Sequence, residues 1–242
     1  MLAIIGGTGF YDFPLLKDAI EYIAETPYGQ AKYLIGRHNS KEFIFLSRHG
    51  LGHNIPPHMI NYRANIYALK KAGAAKVLAL NSVGGLLATQ KVGDIVMATD
   101  MIDFTFNREN TFYNGGDEGL YHADMSCPYS LALTDQIAVC AKMVGAKIIS
   151  GGIYAATQGP RFETPAEVRM LAGLGGTVVG MTGAPEVSLA VEAGLEYAAL
   201  CVIANLGCGL TTEKITLESI QKQMQKSLLK VQHILTEAID KL

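Results

Sequence analysis

The strongest constraint on the fold is the way short, unbroken apolar runs alternate with segments of helical period. Candidate strands fall at 1–5, 43–46, 76–80, 94–98, 148–156, 177–180 and 197–204. Several are continuous in Val, Ile, Leu and Ala, the pattern of strands covered on both faces. Helical periods fall at 58–72, 131–144, 165–174, 185–193 and 217–242. Pro165 and Pro185 stand in first turns, where a missing N–H is tolerated, and Gly73, Gly145, Gly175 and Gly194 follow their helices as C-caps. Strand and helix in alternation predict an α/β fold, one domain over 1–242 with helices packed on a central sheet. No internal repeat or linker tract divides it. In such folds ligands gather beyond the carboxyl ends of strands, so the residues just past each run carry the most information.

Composition removes several function classes. The net charge is -2 and no block of like charge occurs, so nothing here holds a polynucleotide by counterion release. Only 17% of residues are charged, which leaves surface for burial, as in a subunit interface. No run of about 18 apolar residues marks a membrane span. The opening MLAIIGGTGF lacks a basic n-region and a small-residue cleavage site, and reads as a buried strand rather than a signal peptide. Cys127, Cys140, Cys201 and Cys208 form neither a Cys-x-x-Cys pair nor a zinc-like spacing. Free thiols in a reducing cytoplasm and no metal site are the expectation.

The strand ends are unusually rich in small and polar residues. Gly6-Gly7-Thr8-Gly9 follows the first run, and its amides and the Thr8 hydroxyl suit either a tight turn or an anion site. Ser47-Arg48-His49-Gly50 offers a planar guanidinium fork and an imidazole, with His53 and His58 close behind. No carboxylate or thiol spacing makes those histidines a metal site. Asn81-Ser82-Val83-Gly84-Gly85 reads as a second small-residue turn, whose serine suits phosphate and whose glycines let a flat ring approach. In Gly159-Pro160-Arg161-Phe162-Glu163-Thr164, Thr164 caps the next helix, Phe162 offers a stacking face and Glu163 two acceptor oxygens. Gly180-Met181-Thr182-Gly183 and Ala204-Asn205-Leu206-Gly207 close two further runs. A dinucleotide-binding loop is the nearest rival, but Asp12 stands where its third glycine belongs, and Tyr67-x-x-x-Lys71 comes too soon for a reductase pair.

In order and spacing these segments resemble the trimeric nucleoside phosphorylases, the family that includes methylthioadenosine phosphorylase and purine nucleoside phosphorylase. Asn61-Tyr62-Arg63-Ala64-Asn65 and Met181-Thr182-Gly183-Ala184-Pro185-Glu186 are similar to that family's signatures. The resemblance implies a single α/β domain around a mixed, partly barrel-like sheet, and a reaction with no metal and no organic cofactor, inorganic phosphate being the co-substrate. It implies phosphate on Thr8, Arg48, His49, Ser82 and Thr182, the ribose near Met181, and the purine against Phe162, Val83 and Gly84. Asn205 then serves the N7 side of the base, and Asn205, Glu163 and His49 are the implied catalytic groups. His122 matches a histidine lent to the neighbouring subunit's site, which implies a homotrimer or a dimer of trimers.

Departures from the adenine-cleaving members bear on the substrate. Those carry aspartate where Asn205 and Gly207 stand, and serine in place of Glu163. An ionised Glu163 accepts the N1 hydrogen of a 6-oxopurine, whereas adenine turns a lone pair toward it; an unpaired buried acceptor costs on the order of 1–3 kcal/mol. At the sugar's 5′ end, Leu217 and Ile220 suit a methylthio group, though Gln221 is polar and both apolar residues also fit core positions. The combined expectation is phosphorolysis of S-methyl-5′-thioinosine, with inosine, guanosine or methylthioadenosine as alternatives. A nucleosidase using water, or a binding protein without turnover, is the remaining rival, and phosphate-dependent turnover separates all three.

Overall fold

The computed structural model describes all residues except 8, 9, 11, 12, 53, 117, 118, 120 and 213. Nine strands are present among the described residues: β1 (Leu2–Gly6), β2 (Ile20–Thr26), β3 (Gly29–His38), β4 (Lys41–Ser47), β5 (Lys76–Gly85), β6 (Ile95–Asp103), β7 (Ile149–Ala156), β8 (Val178–Gly180) and β9 (Glu196–Leu206). The helices are α1 (Tyr62–Lys71), α2 (Leu131–Met143), α3 (Pro165–Gly173), α4 (Gly183–Glu192) and α5 (Leu217–Lys241). Sheet order runs β2-β3-β4-β1-β5-β8-β7-β6-β9, and β9 returns to pair with β5. That last pairing closes β5, β8, β7, β6 and β9 into a five-stranded mixed barrel, with β1, β4 and the β2–β3 hairpin as its open extension. β5 runs parallel to β1 and β9 but antiparallel to β8.

The seven expected strands are all present. β2 and β3 were not expected. β2 is solvent-facing along most of its length, with Ile20, Tyr22 and Ile23 exposed, so it lacks the continuous apolar run of a covered strand. The 81–85 segment, expected as a turn, is instead the second half of β5, because barrel closure needs a strand long enough to meet both β8 and β9. The first helix begins at Tyr62 rather than at 58, where Asn61 accepts the Ala64 amide at 3.0 Å and caps it. The glycines after α1, α2, α3 and α4 take positive φ, as C-caps do.

Two apolar layers sandwich the sheet. One face of β5 and β9 (Val77, Ala79, Tyr197, Ala199) packs with α1 and α4. The other (Leu78, Leu80, Leu200, Val202) packs with α2 and α5. Alternation along each strand therefore feeds both layers, which explains why the runs read as unbroken.

Candidate active site

The carboxyl ends of β1, β4, β5, β8 and β9 open on one cavity of about 500 Å³, a volume suited to a small organic molecule. Its wall contains Arg48, His49, Ser82 and Thr182 of the expected phosphate set. It also contains Val83, Gly84, Phe162, Glu163, Met181 and Asn205 of the expected base and ribose set, and Leu217 and Ile220 from the first turn of α5. Thr8 lies outside the described residues. Residues as far apart in sequence as Arg48 and Ile220 thus meet on one surface.

Arg48 follows β4 and is buried, at 1% exposure. Its Nε and Nη2 donate to the Glu186 carboxylate at 2.6 and 2.8 Å, and Nη1 donates to the Leu80 carbonyl at 3.1 Å. Burial alone would lower the guanidinium pKa, but the charge and hydrogen bonds of Glu186 outweigh it and raise it above the ordinary value. The Tyr197 hydroxyl donates to Glu186 at 2.7 Å, so the carboxylate is held from two sides. His49 Nδ1 lies 2.8 Å from the Ile55 carbonyl, a pure acceptor, which places a ring proton on Nδ1. The Thr182 hydroxyl donates to Asn81 Oδ1 at 3.2 Å. The amides of Thr182 and Gly183 point at the buried Tyr154 hydroxyl, at 3.4 and 3.2 Å. Burial pushes the Tyr154 pKa up to about 12, so this hydroxyl stays neutral at ordinary pH.

The opposite end of the cavity is acidic and aromatic. Glu163, 9% exposed, accepts the Thr157 hydroxyl at 2.5 Å. Arg161, two residues earlier, turns away and grips Glu167 through both Nη atoms at 2.8 and 2.7 Å. Glu167 completes a capping box with Thr164 at the start of α3. The Arg161 hydrogen bond, then that of the Thr164 amide, holds its carboxyl down at about 2. Phe162, between them, is partly exposed on the cavity wall. A register shift pairs Val83 with Ile203 but Gly84 with Asn205, so Ala204 is an extra residue. Bulges of this kind re-aim side chains beside binding sites. The bulge sets Asn205 against Gly84, where a Cβ would come within 3.4 Å of Asn205 Nδ2. Asn205 Nδ2 donates to the Leu206 carbonyl at 2.9 Å, which fixes which end of the amide is the donor.

Two expected residues do not line this cavity. Gly207 packs instead against α3: its amide bonds the Gly85 carbonyl at 2.8 Å, and a Cβ would sit 2.9 Å from Val168 Cγ1. Glycine is required there by helix-on-strand packing, and Gly207 is not part of the cavity wall. His122 is exposed on the irregular segment between β6 and α2 and does not line the cavity of its own chain.

Sequence reasoning missed three supporting residues. Glu186 reads as an ordinary first-turn acid, and only the fold brings Arg48 to it. Thr157 sits behind Glu163 with no motif of its own. Arg108 lies in a segment without periodicity, yet donates to the carbonyls of Gln158 (2.7 Å), Met181 (2.8 Å) and Ala184 (2.7 Å) and to the Tyr62 hydroxyl (3.1 Å). It also lies over the Tyr62 ring. Among the described residues no cluster of His, Cys, Asp or Glu is arranged to hold a metal ion.

Fold and cavity together define an α/β protein with a site for a small molecule, cationic and hydroxyl-lined at one end, acidic and aromatic at the other. The family model of the phosphorylase superfamily matches residues 1–240. A 6-oxopurine nucleoside phosphorylase of Pyrococcus furiosus is 40% identical over 243 residues, covering 98% of this chain and 91% of its own. A Pseudomonas syringae relative named "Probable S-methyl-5'-thioinosine phosphorylase" is 41% identical over 239 residues, covering 98% and 97%. The crystal structure of methylthioadenosine phosphorylase from Schistosoma mansoni in complex with adenine superposes with a TM-score of 0.91 at 33% identity, over 99% of this chain and 90% of that one. The chain belongs to the phosphorylase superfamily.

Proposed function

We propose that this chain cleaves a 6-oxopurine nucleoside with inorganic phosphate, taking S-methyl-5′-thioinosine to hypoxanthine and 5-methylthioribose 1-phosphate. The observation that carries the reading is Glu163, a nearly buried carboxylate on the cavity wall whose polar neighbour is the neutral Thr157 rather than a cation. Such a group takes the N1 hydrogen of a 6-oxopurine and meets a lone pair on adenine. Relatives named for 6-oxopurine nucleosides and for methylthioinosine, each about 40% identical over nearly the whole chain, support the same base.

In this reading a phosphate oxygen, held by Arg48, His49, Ser82, Thr182 and Thr8, forms a bond to the anomeric carbon as the bond to N9 breaks. The electron pair of that bond leaves with the purine, and charge collects toward N7 and O6, where the Asn205 amide donates. The sugar passes through a cation-like state, and much of the acceleration comes from holding phosphate against it. Leu217 and Ile220 give the 5′ substituent an apolar wall, which favours methylthio over hydroxyl.

We read the whole of 1–242 as one domain working without metal or organic cofactor. We propose a homotrimer in which the exposed His122 completes a neighbour's site, and a cytoplasmic location consistent with four free cysteines. No described helix is long and apolar enough to cross a membrane.

The test is purine release from methylthioinosine, inosine, guanosine and methylthioadenosine, each with and without phosphate. Phosphate-dependent release led by methylthioinosine is expected. A lead by methylthioadenosine would overturn the base assignment, a lead by inosine or guanosine the 5′ assignment, and release without phosphate the phosphorolysis itself.

A further inference from the structure

We infer that Thr157 is a specificity-positioning residue, the group that aims Glu163 at the purine and so sets the preference for 6-oxo over 6-amino bases. It rests on the reading of Glu163 as the N1 acceptor. Thr157 follows β7 and is not among the residues that line the cavity; its hydroxyl meets the wall at Glu163. Its backbone is fixed, since the Thr157 amide donates to the Gly180 carbonyl at 2.9 Å at the end of β8.

The threonine hydroxyl has one proton and two acceptors within reach. The Gly180 carbonyl lies at 3.5 Å and already accepts the Thr157 amide, while Glu163 Oε1 lies at 2.5 Å. Distance decides for the carboxylate. One oxygen of Glu163 is thereby anchored to a strand end, in a residue that lines the cavity and has a second oxygen to offer as an acceptor. An exposed glutamate samples several rotamers, and ordering it against a base would reduce the binding free energy. A short hydrogen bond from a rigid β-branched side chain removes that freedom beforehand.

The anchor is also selective in charge. Had a cation filled this place, the carboxylate would be neutralised and its second oxygen drawn away from the purine. Arg161, which feels the charge of Glu163, gives its Nη hydrogen bonds to Glu167 and leaves the place beside Glu163 Oε1 to the Thr157 hydroxyl. A neutral donor fixes the carboxylate and leaves its acceptor strength for the ligand.

The experiment compares Thr157→Val, Thr157→Ser and Glu163→Gln in the full-length chain, measuring kcat and KM for inosine and adenosine and KM for phosphate. Thr157→Val keeps the β-branched shape without the hydroxyl; Thr157→Ala serves if near-ultraviolet dichroism shows the valine variant misfolded. Loss of a hydrogen bond to a charged group should lower kcat/KM for inosine by about 10- to 100-fold. Adenosine should change little, and KM for phosphate should hold. Thr157→Ser should restore the preference, which a merely structural role for the methyl would not allow. An inosine-to-adenosine ratio in the valine and alanine variants within about twofold of the parent would overturn the inference. Glu163→Gln separates the two levels. If it too leaves the ratio intact, the reading of Glu163 fails; if it collapses the ratio while Thr157→Val does not, only the role of Thr157 fails.

Discussion

Substituting Glu186 by Gln should both destabilise the chain and weaken its grip on phosphate, and the two effects come from one contact. The Arg48–Glu186 pair has side chains only 1% and 2% exposed, so water cannot replace a lost partner. Glutamine retains one acceptor oxygen for Arg48, but its amide turns a donor toward a guanidinium N–H, and the buried cation loses its counter-charge. Removing one partner of a buried pair typically costs about 3–5 kcal/mol. The lost acceptor leaves Nε or Nη2 unpaired, at about 1.5–3 kcal/mol for a bond to a charged group, so roughly half of that cost comes from one contact and the rest from the lost counter-charge. At about 2–4 °C per kcal/mol for a domain of this length, the melting temperature should fall by about 10 °C. The assay is denaturant and thermal unfolding at fixed protein concentration, with KM for phosphate and for nucleoside measured on the folded fraction. KM for phosphate should rise by about tenfold or more, and KM for nucleoside much less. A double variant, Arg48→Met with Glu186→Leu, should recover part of the stability, because apolar replacement of a whole buried pair is often neutral or better, while the Leu80 carbonyl and Tyr197 hydroxyl lose their partners. It should not recover turnover. A Glu186→Gln variant within about 1 kcal/mol of the parent, with an unchanged phosphate KM, would refute the claim that this carboxylate holds Arg48 for the ligand.

Three further outcomes are expected. Asn205→Asp should reduce kcat/KM for inosine by about 10- to 100-fold, because a carboxylate opposes the acceptors of the departing base where the amide donates; unchanged inosine cleavage would remove Asn205 from the leaving-group side. Arg108→Met should lower stability by about 2–4 kcal/mol through carbonyls left without a donor, and should raise the KM of nucleoside and phosphate together, since both 157–158 and 181–184 are tied to it; a selective effect on one substrate would sink the clamp. In a native thiol-labelling assay near pH 8, the exposed Cys127 should react first. Cys201, pushed up to about 12 by burial, and the buried Cys140 should react only on unfolding. Prompt labelling of Cys201 would contradict its burial.

What the sequence disclosed follows from how locally each feature is encoded. Covered strands announce themselves because Ile4, Leu78 or Leu200 must be apolar whichever layer they face, and the turn chemistry after them is equally local. The β2–β3 hairpin is hidden because its exposure removes the apolar signal, leaving Glu21, Glu25 and Lys32 to read as loop. The site's wall is legible where a residue type is unusual for its place, as with Glu163 beside Phe162 or Asn205 at the end of an apolar strand. Its supports are not. Glu186 is separated from Arg48 by 138 positions and Arg108 from Ala184 by 76, and an acid in a helix's first turn or an arginine in an irregular segment carries no mark of a distant partner.

Charge placement around the cavity has a single logic at both ends. Arg48 is fully compensated by Glu186, so a dianion entering there meets positioned N–H and O–H donors more than a bare positive field. Its retention then depends on geometry rather than on long-range attraction, which salt would screen. At the other end Arg161 gives its carboxylate hydrogen bonds to Glu167, and the hydrogen-bond partner of Glu163 is a neutral hydroxyl. The carboxylate therefore keeps an acceptor oxygen that a 6-oxopurine can satisfy. Exchange of these partners would reverse both effects: a free Arg48 would hold phosphate or its sugar ester too tightly to release, and a neutralised Glu163 would no longer tell one purine from another. The buried Arg48–Glu186 pair is thus better understood as fixing what the site accepts and lets go than as holding the fold together, since apolar replacement of a whole buried pair is often neutral for stability.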